Sequence, residues 1–218
     1  EEIYNLSDED IYNRINTEFS FDNFRIQQQN KIKITEPFRA EGLNKVLYKC
    51  PHCMAEGKMT TSGTKINCNK CNVAYELDEY GYLNAINAET IFNHIPDWYK
   101  WEREKVKEEL VNNTYQLNVD CDIYMMIDTY KLYNIGCGHL VHNNEGFTLT
   151  NDKELDFKLN PLQSYSLYSD FFWYEIGDMI CIGNNDVLYY CFPKTEDDVV
   201  AKTRLAAEEL YKIVKSKM

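Results

Sequence analysis

The chain has 218 residues, 44% hydrophobic and 27% charged, a globular composition long enough for one well-cored domain or two modest ones with a small appendage. Its net charge of -12 and pI near 4.8 make the average surface repel a phosphate backbone, and no Lys/Arg cluster supplies the local basic patch that nucleic-acid binding would need. The longest apolar runs, such as Tyr124 to Ile127, fall far short of the roughly 20 residues of a membrane-spanning helix.

Ser7 with Asp10 reads as a capping box, and Ile11, Ile15 and Phe19 follow at four-residue spacing on one face of a short helix. A second helical stretch runs from Phe21 to Gln29, and Thr35 to Asn44, with Pro37 and Gly42, is a connector. Ala74 to Leu77 and Tyr82 to Ala85 bracket a turn at 78–81, giving strand, turn, strand. Pro96 suits the first turn of a helix ending near Val111, in which Trp98, Trp101 and Leu110 anchor against a neighbour and Glu102 to Glu109 form a solvated face.

From Tyr115 to Phe192 the pattern becomes short alternating strands. Leu140/His142 and Phe147/Leu149 flank a hairpin turn at 143–146, and Leu155/Phe157/Leu159, Phe171/Trp173, Met179 to Ile182 and Val187 to Phe192 follow. Thr195 with Asp198 then caps a helix whose Val199, Ala206, Leu210 and Ile213 form an apolar stripe. The expected fold class is α+β, with about seven strands in an antiparallel β-barrel of the pleckstrin-homology kind, closed by the C-terminal helix. The expected organisation is a helical N-terminal segment at 1–42, a zinc ribbon at 43–90, a connecting helix at 91–113 and the barrel at 114–218.

The ribbon expectation comes from Cys50-x2-Cys53, fourteen residues, then Cys68-x2-Cys71. Two such knuckles bring four soft thiolates to the corners of a tetrahedron around Zn2+, with no open position for water or substrate, so the site is structural. Metal binding of this kind supplies roughly 10 to 16 kcal/mol, enough to order a segment poor in apolar side chains. Lys49 and Lys70 flank the knuckles and can offset the charge of the centre, while His52 is a bystander. Disulfides or a dithiol redox pair fit less well, because two close pairs in an acidic chain without a signal peptide suit a reducing cytoplasm. Rubredoxin-like iron takes the same ligands.

Cys121, Cys137, Cys181 and Cys191 have no paired spacing and read as small buried hydrophobes. Cys137 and His139 share one strand face, and Asp120, Asp122 or Asp128 can join them, which defines a second candidate site for a nucleophile or a metal. His142 points to the opposite face from His139, and His94 is a helix-entry residue. No Gly-rich phosphate loop, Gly-x-Ser-x-Gly elbow or His-Glu-x-x-His pattern occurs.

The run from Arg39 to Cys53, the stretch from Phe92 to Glu104, Gly138 to Leu149 and Ala207 to Tyr211 together resemble the C-terminal extension of bacterial 1-acyl-sn-glycerol-3-phosphate acyltransferase-like proteins. In that group an acyltransferase domain is followed by a zinc ribbon and a β-rich module. The family's catalytic signature is His-x4-Asp, and the residues five positions after the four histidines here are Gly57, Tyr99, Asn144 and Phe147. No catalytic residue therefore carries over. The resemblance implies an accessory region for phospholipid biosynthesis, whose partner is an acyltransferase domain in cis or trans, with a cytoplasmic address and proximity to a lipid or membrane surface. The alternative expectation is a zinc-ribbon adaptor that binds protein or nucleic acid. Replacing Cys50 or Cys68 by Ser is expected to unfold the ribbon and leave the β-rich half largely intact.

Overall fold

The computed structural model describes residues 3–127 and 131–218. Its first helix, α1 (Asp8–Phe19), carries the expected capping box: Ser7 Oγ accepts from the Asp10 N–H and Asp10 Oδ2 accepts from the Ser7 N–H, each at 3.1 Å. The apolar stripe does not find a core. No residue of α1 is buried, and Tyr12, Ile15 and Phe19 are exposed. Helix α2 (Asn23–Gln29) is capped by Asp22 and lies against the ribbon, where Gln28 donates to Gly81 O at 3.0 Å.

A single turn, α3 (Leu43–Val46), leads into the cysteine segment, which forms a four-stranded antiparallel sheet of β1 (Met59–Ser62), β2 (Lys65–Cys68), β3 (Ala74–Leu77) and β4 (Leu83–Ala85) in sequential order. Helix α4 (Ile95–Val111) then runs from one core into the other. Its first turns put Ile95 and Trp98 into the ribbon cluster with Leu47, Cys50, Tyr75 and Leu83, and its last turns put Val106 and Leu110 into the second cluster. The two tryptophans anchor as expected, with Trp98 fully buried and its Nε1 donating to Lys49 O at 3.0 Å. The charged run is not uniformly solvated. Glu102 is fully buried, and Glu109 sits in an ion-pair network.

The remaining strands are β5 (Leu117–Met126), β6 (Leu132–Asn143), β7 (Gly146–Asn151), β8 (Asp156–Leu159), β9 (Tyr168–Trp173), β10 (Gly177–Gly183) and β11 (Leu188–Pro193). They form one antiparallel sheet in the order β8-β7-β6-β5-β11-β10-β9. Its outermost strands β8 and β9 do not pair, so hydrogen bonding leaves the sheet open where a closed barrel was expected. The apolar half of the alternation, including Cys121, Ile123, Leu140, Leu149, Ile180 and Cys191, packs against the C-terminal helix α5 (Val200–Lys215). Gly138 lets β6 and β7 approach, since a Cβ there would lie 2.3 Å from Thr150 O.

Helix α5 starts later than the Thr195/Asp198 reading placed it. Its N-cap is Val199, without a side-chain cap, because Asp198 is engaged elsewhere: its carboxylate accepts from Lys45 at 2.7 Å and from Asn44 at 3.2 Å. Lys45 also meets Asp178 at 2.8 Å, and Lys58 meets Asp197 at 2.7 Å. A half-buried cluster joins Lys49 to Glu56 and Glu109, and Lys202 to the same two carboxylates. The ribbon is thus strapped to α4 and to the start of α5. Tyr48, from the ribbon's leading segment, is buried in the second cluster beside Tyr115 and Leu110. That contact qualifies the expectation that the β-rich half stands alone.

Candidate metal centre

The four predicted thiols come together. One Sγ from each of Cys50, Cys53, Cys68 and Cys71 lies within 4.8 Å of all the others. Cys50 and Cys71 are 3.7 Å apart, as are Cys53 and Cys68. A tetrahedron with metal–sulfur bonds of about 2.3 Å has edges of about 3.8 Å, so the spacing fits a four-coordinate ion with all corners taken by sulfur. His52 is outside this set. Its Nε2 lies 2.8 Å from the Tyr75 hydroxyl.

The two knuckles are built alike, which explains how local sequence shapes the site. In the first, Cys50 N–H donates to Ala55 O and Met54 N–H donates back to Cys50 O; in the second, Cys68 N–H donates to Val73 O and Asn72 N–H to Cys68 O. Met54 and Asn72, each following the second cysteine of its pair, both take left-handed backbone, with φ of 61° and 60°. Asn tolerates that region well and Met does so at a cost, which the tight double turn and its ligand geometry offset. Burial pushes the Cys50 thiol up, opposed by the N–H groups of Cys53 and His52. Cys68 is also buried, yet the N–H groups of Cys71 and Lys70 and the neighbouring thiols hold it below the ordinary range. Backbone donors aimed at sulfur favour the thiolates a metal needs.

Lys49 does not serve the thiols. Its ammonium is almost wholly buried and bonds Glu56 at 2.8 Å and Glu109 at 3.4 Å, while its N–H donates to Glu102 Oε1 at 2.8 Å. Glu102 Oε2 and the Tyr48 hydroxyl, both buried, have no hydrogen-bond partner among the described residues. Burial drives the Glu102 carboxyl well above the usual carboxylate range. Neither residue was singled out from sequence, since Glu102 lies in a run of charged residues and Tyr48 carries no pattern of its own beside the first cysteine pair.

The second candidate site is on the outer face of the large sheet. Asp120 pairs across the strands with His139, and Asp122 with Cys137. His139 Nδ1 lies 3.0 Å from Asp120 Oδ1, Cys137 Sγ donates to Asp122 Oδ1 at 3.1 Å, and Lys194 Nζ reaches both Asp122 at 2.7 Å and Cys137 Sγ at 3.3 Å. The Asp122 carboxylate, with Cys137 behind it, holds Lys194 above the ordinary lysine range. Asp128 lies outside the described residues. Among the described residues these side chains do not form a group of three metal-ligating atoms. Cys137 is exposed, unlike Cys121, Cys181 and Cys191, which are buried as expected. Lys194 escaped the sequence reading because it is 57 residues away and carries no local signal.

His94 caps α4 without a side-chain cap bond and is buried between Asp22, at 2.9 Å from Nε2, and Asp97, at 3.2 Å from Nδ1. The Asp22 approach is at ion-pair distance but without hydrogen-bond alignment. This residue ties α2 to α4 and is remote from the thiols in sequence. Among the described residues, no helix is long and apolar enough to cross a membrane. No protein family, curated protein or solved structure compared with the chain matches it.

Proposed function

We propose that this chain is a non-catalytic accessory region whose four-cysteine centre holds Zn2+ as a structural ion. Convergence of four sulfurs, with no imidazole or carboxylate among them, is the observation that carries this reading. Four thiolates favour zinc, and a full sulfur shell leaves no position for an activated water. The centre's task is then to order the ribbon and, through Lys45, Glu56 and Tyr48, to fix it against the β-rich module.

The module's reading as a pleckstrin-homology-like unit rests on its strand order, with β11 beside β5, and on the C-terminal helix packed over one face. On the resemblance of Arg39–Cys53 and Phe92–Glu104 to acyltransferase-associated sequences, the natural partner is a phospholipid-making acyltransferase domain, which this region docks, regulates or supplies near a lipid surface. Metal analysis of the purified chain should give one zinc per chain. Incubation with lysophosphatidate and an acyl donor should give no turnover, and turnover above background would overturn the non-catalytic reading.

A second reading is a zinc-ribbon adaptor that binds another protein, favoured by the exposed Tyr12, Ile15 and Phe19 on α1. The net charge of -12 weighs against a nucleic-acid version. Binding to single- and double-stranded DNA at two salt concentrations should be negligible, and tight salt-sensitive binding would favour that version.

A further inference from the structure

The seam between the ribbon and the β-rich module holds a cavity of about 140 Å³. Its walls include Tyr48 and Glu56 from the ribbon side, Tyr115 and Leu117 at the entry to β5, and Lys202 and Thr203 on the first turn of α5. Tyr48 is 1% exposed, and its hydroxyl has no partner among the described residues. The charges that act on this hydroxyl are those of Glu102, Glu56 and Glu109, so the phenol oxygen is directed to the carboxylate side of the seam, where Glu56 also walls the cavity. A buried hydroxyl left without a partner costs about 1–3 kcal/mol. A molecule seated in the cavity and bonded to it recovers that cost.

The charges on the wall decide what kind of molecule fits, because each is already matched. Glu56 accepts from Lys49 at 2.8 Å and from Lys202 at 2.7 Å, and Lys202 also meets Glu109 at 2.7 Å. Asp197 and Asp198, on the same wall, accept from Lys58 and Lys45 at 2.7 Å each. A charged guest would give up its hydration and find no free counter-ion, which is a costly transfer. A neutral guest avoids that cost. Ion-paired carboxylates keep acceptor sites to spare, since each has about four, while the Tyr48 O–H and the exposed Gln116 amide can donate. Hydroxyl groups, which donate and accept at once, match such a wall, and Leu117, Val199 and the Tyr115 ring offer surface to C–H groups. The volume equals that of about four or five waters in the liquid, room for a molecule of about six heavy atoms.

We propose that this cavity is a binding site for a small neutral polyol, with one ligand hydroxyl bonded to the Tyr48 hydroxyl and another donating to the Glu56 carboxylate. Because the walls come from the ribbon, from β5 and from α5, the bound molecule joins the two lobes as well as filling the space between them. The site rests on neither the non-catalytic reading nor the identity of the metal.

The test uses the full metal-loaded chain, with metal content measured on the same sample so that failure of the zinc reading is seen separately. Glycerol is the probe, followed by saturation-transfer NMR. The expected signal saturates with a Kd of about 1–10 mM, in keeping with a ligand of so few atoms, whereas general solvation by a polyol rises without saturating. Tyr48→Phe keeps the ring and should weaken binding about tenfold, the worth of one hydrogen bond. On the parent chain, propan-1-ol carries a single hydroxyl, and acetate and ethylammonium carry a charge; each should bind at least about tenfold more weakly than glycerol. A purely structural role for Tyr48 would not produce that order. A signal that never saturates, which would leave the cavity to water alone, equal affinity in Tyr48→Phe, or any of the three other probes binding as tightly as glycerol would each overturn the proposal.

Discussion

Tyr48 and Cys50 stand two residues apart and belong to different cores, the phenol packed with Val106, Leu110 and Tyr115 of the second cluster and the thiol packed in the ribbon. Lys49 between them fastens the segment to α4, its N–H donating to Glu102 and its carbonyl accepting from Trp98. Metal loss at Cys50 is therefore felt outside the ribbon. Chelation or Cys68→Ser should unfold the ribbon and also weaken the β-rich module by about 2–4 kcal/mol, on the scale of losing one buried aromatic anchor. Urea unfolding combined with amide exchange in β5 and β11 would measure it. Unchanged protection in those strands would show that Tyr48 keeps its seat without the metal.

The Tyr48 hydroxyl is buried without a partner among the described residues, and burial together with the nearby Glu102 carboxyl raises it above the ordinary phenol range. Its ring contributes packing and its oxygen contributes a desolvation cost. Tyr48→Phe should leave stability unchanged or raise it by about 1 kcal/mol, whereas Tyr48→Ala should cost about 3–5 kcal/mol. Equilibrium denaturation of both variants separates the two contributions, and a loss for Phe as large as that for Ala would assign the hydroxyl a bonding role.

Glu102 has a folded-state carboxyl raised well above its unfolded value, chiefly by burial. The folded chain then holds a proton that the unfolded chain releases, so this residue's contribution is fully present below about 4.5 and is lost as pH rises toward the folded value. Glu102→Gln keeps an acceptor for the Lys49 N–H and removes the ionisable proton. The variant should equal the parent in mild acid and exceed it above neutrality, flattening stability against pH. Denaturation midpoints across pH 5 to 9, on the order of one or two kcal/mol apart at the upper end, would show it.

His142 runs the other way. It is buried, stacks on Phe147 at 3.7 Å between ring centroids, lies 3.0 Å from the Tyr115 hydroxyl and is lowered by burial to about 3. The unfolded imidazole binds a proton near 6.5 that the folded one refuses. Its contribution is present above about 6.5 and disappears as pH falls toward 3, by a few kcal/mol at most. Imidazole NMR should show His142 still neutral at pH 5, and His142→Phe should reduce the acid sensitivity of the module. Protonation of His142 near pH 6.5 in the folded chain would refute this.

The metal ligands were legible because their spacing is a local property: each Cys-x-x-Cys builds its own knuckle, and the hydrogen-bond pattern repeats in both. Helix α4 and six of the seven module strands were legible for the same reason, through Pro96 and through alternation, whereas β5 was not picked out by its residues. What sequence left out is set by distant chain. Asp198 looked like a cap, but an ammonium from the ribbon took its carboxylate. Glu102 looked solvated, because nothing local shows that the Lys49 backbone closes over it. Whether β8 meets β9 depends on sheet curvature, which short-range patterning does not encode. Cys137 was grouped with three buried cysteines, although its cross-strand partner Asp122 marks the outer face.

Seventeen residues of α4, about 26 Å of continuous rod, are shared between the sulfur-held lobe and the sheet. A joint made this way has no slack point at which a hinge can form. The sulfur-held lobe and the sheet are therefore kept at a set bearing and distance from each other.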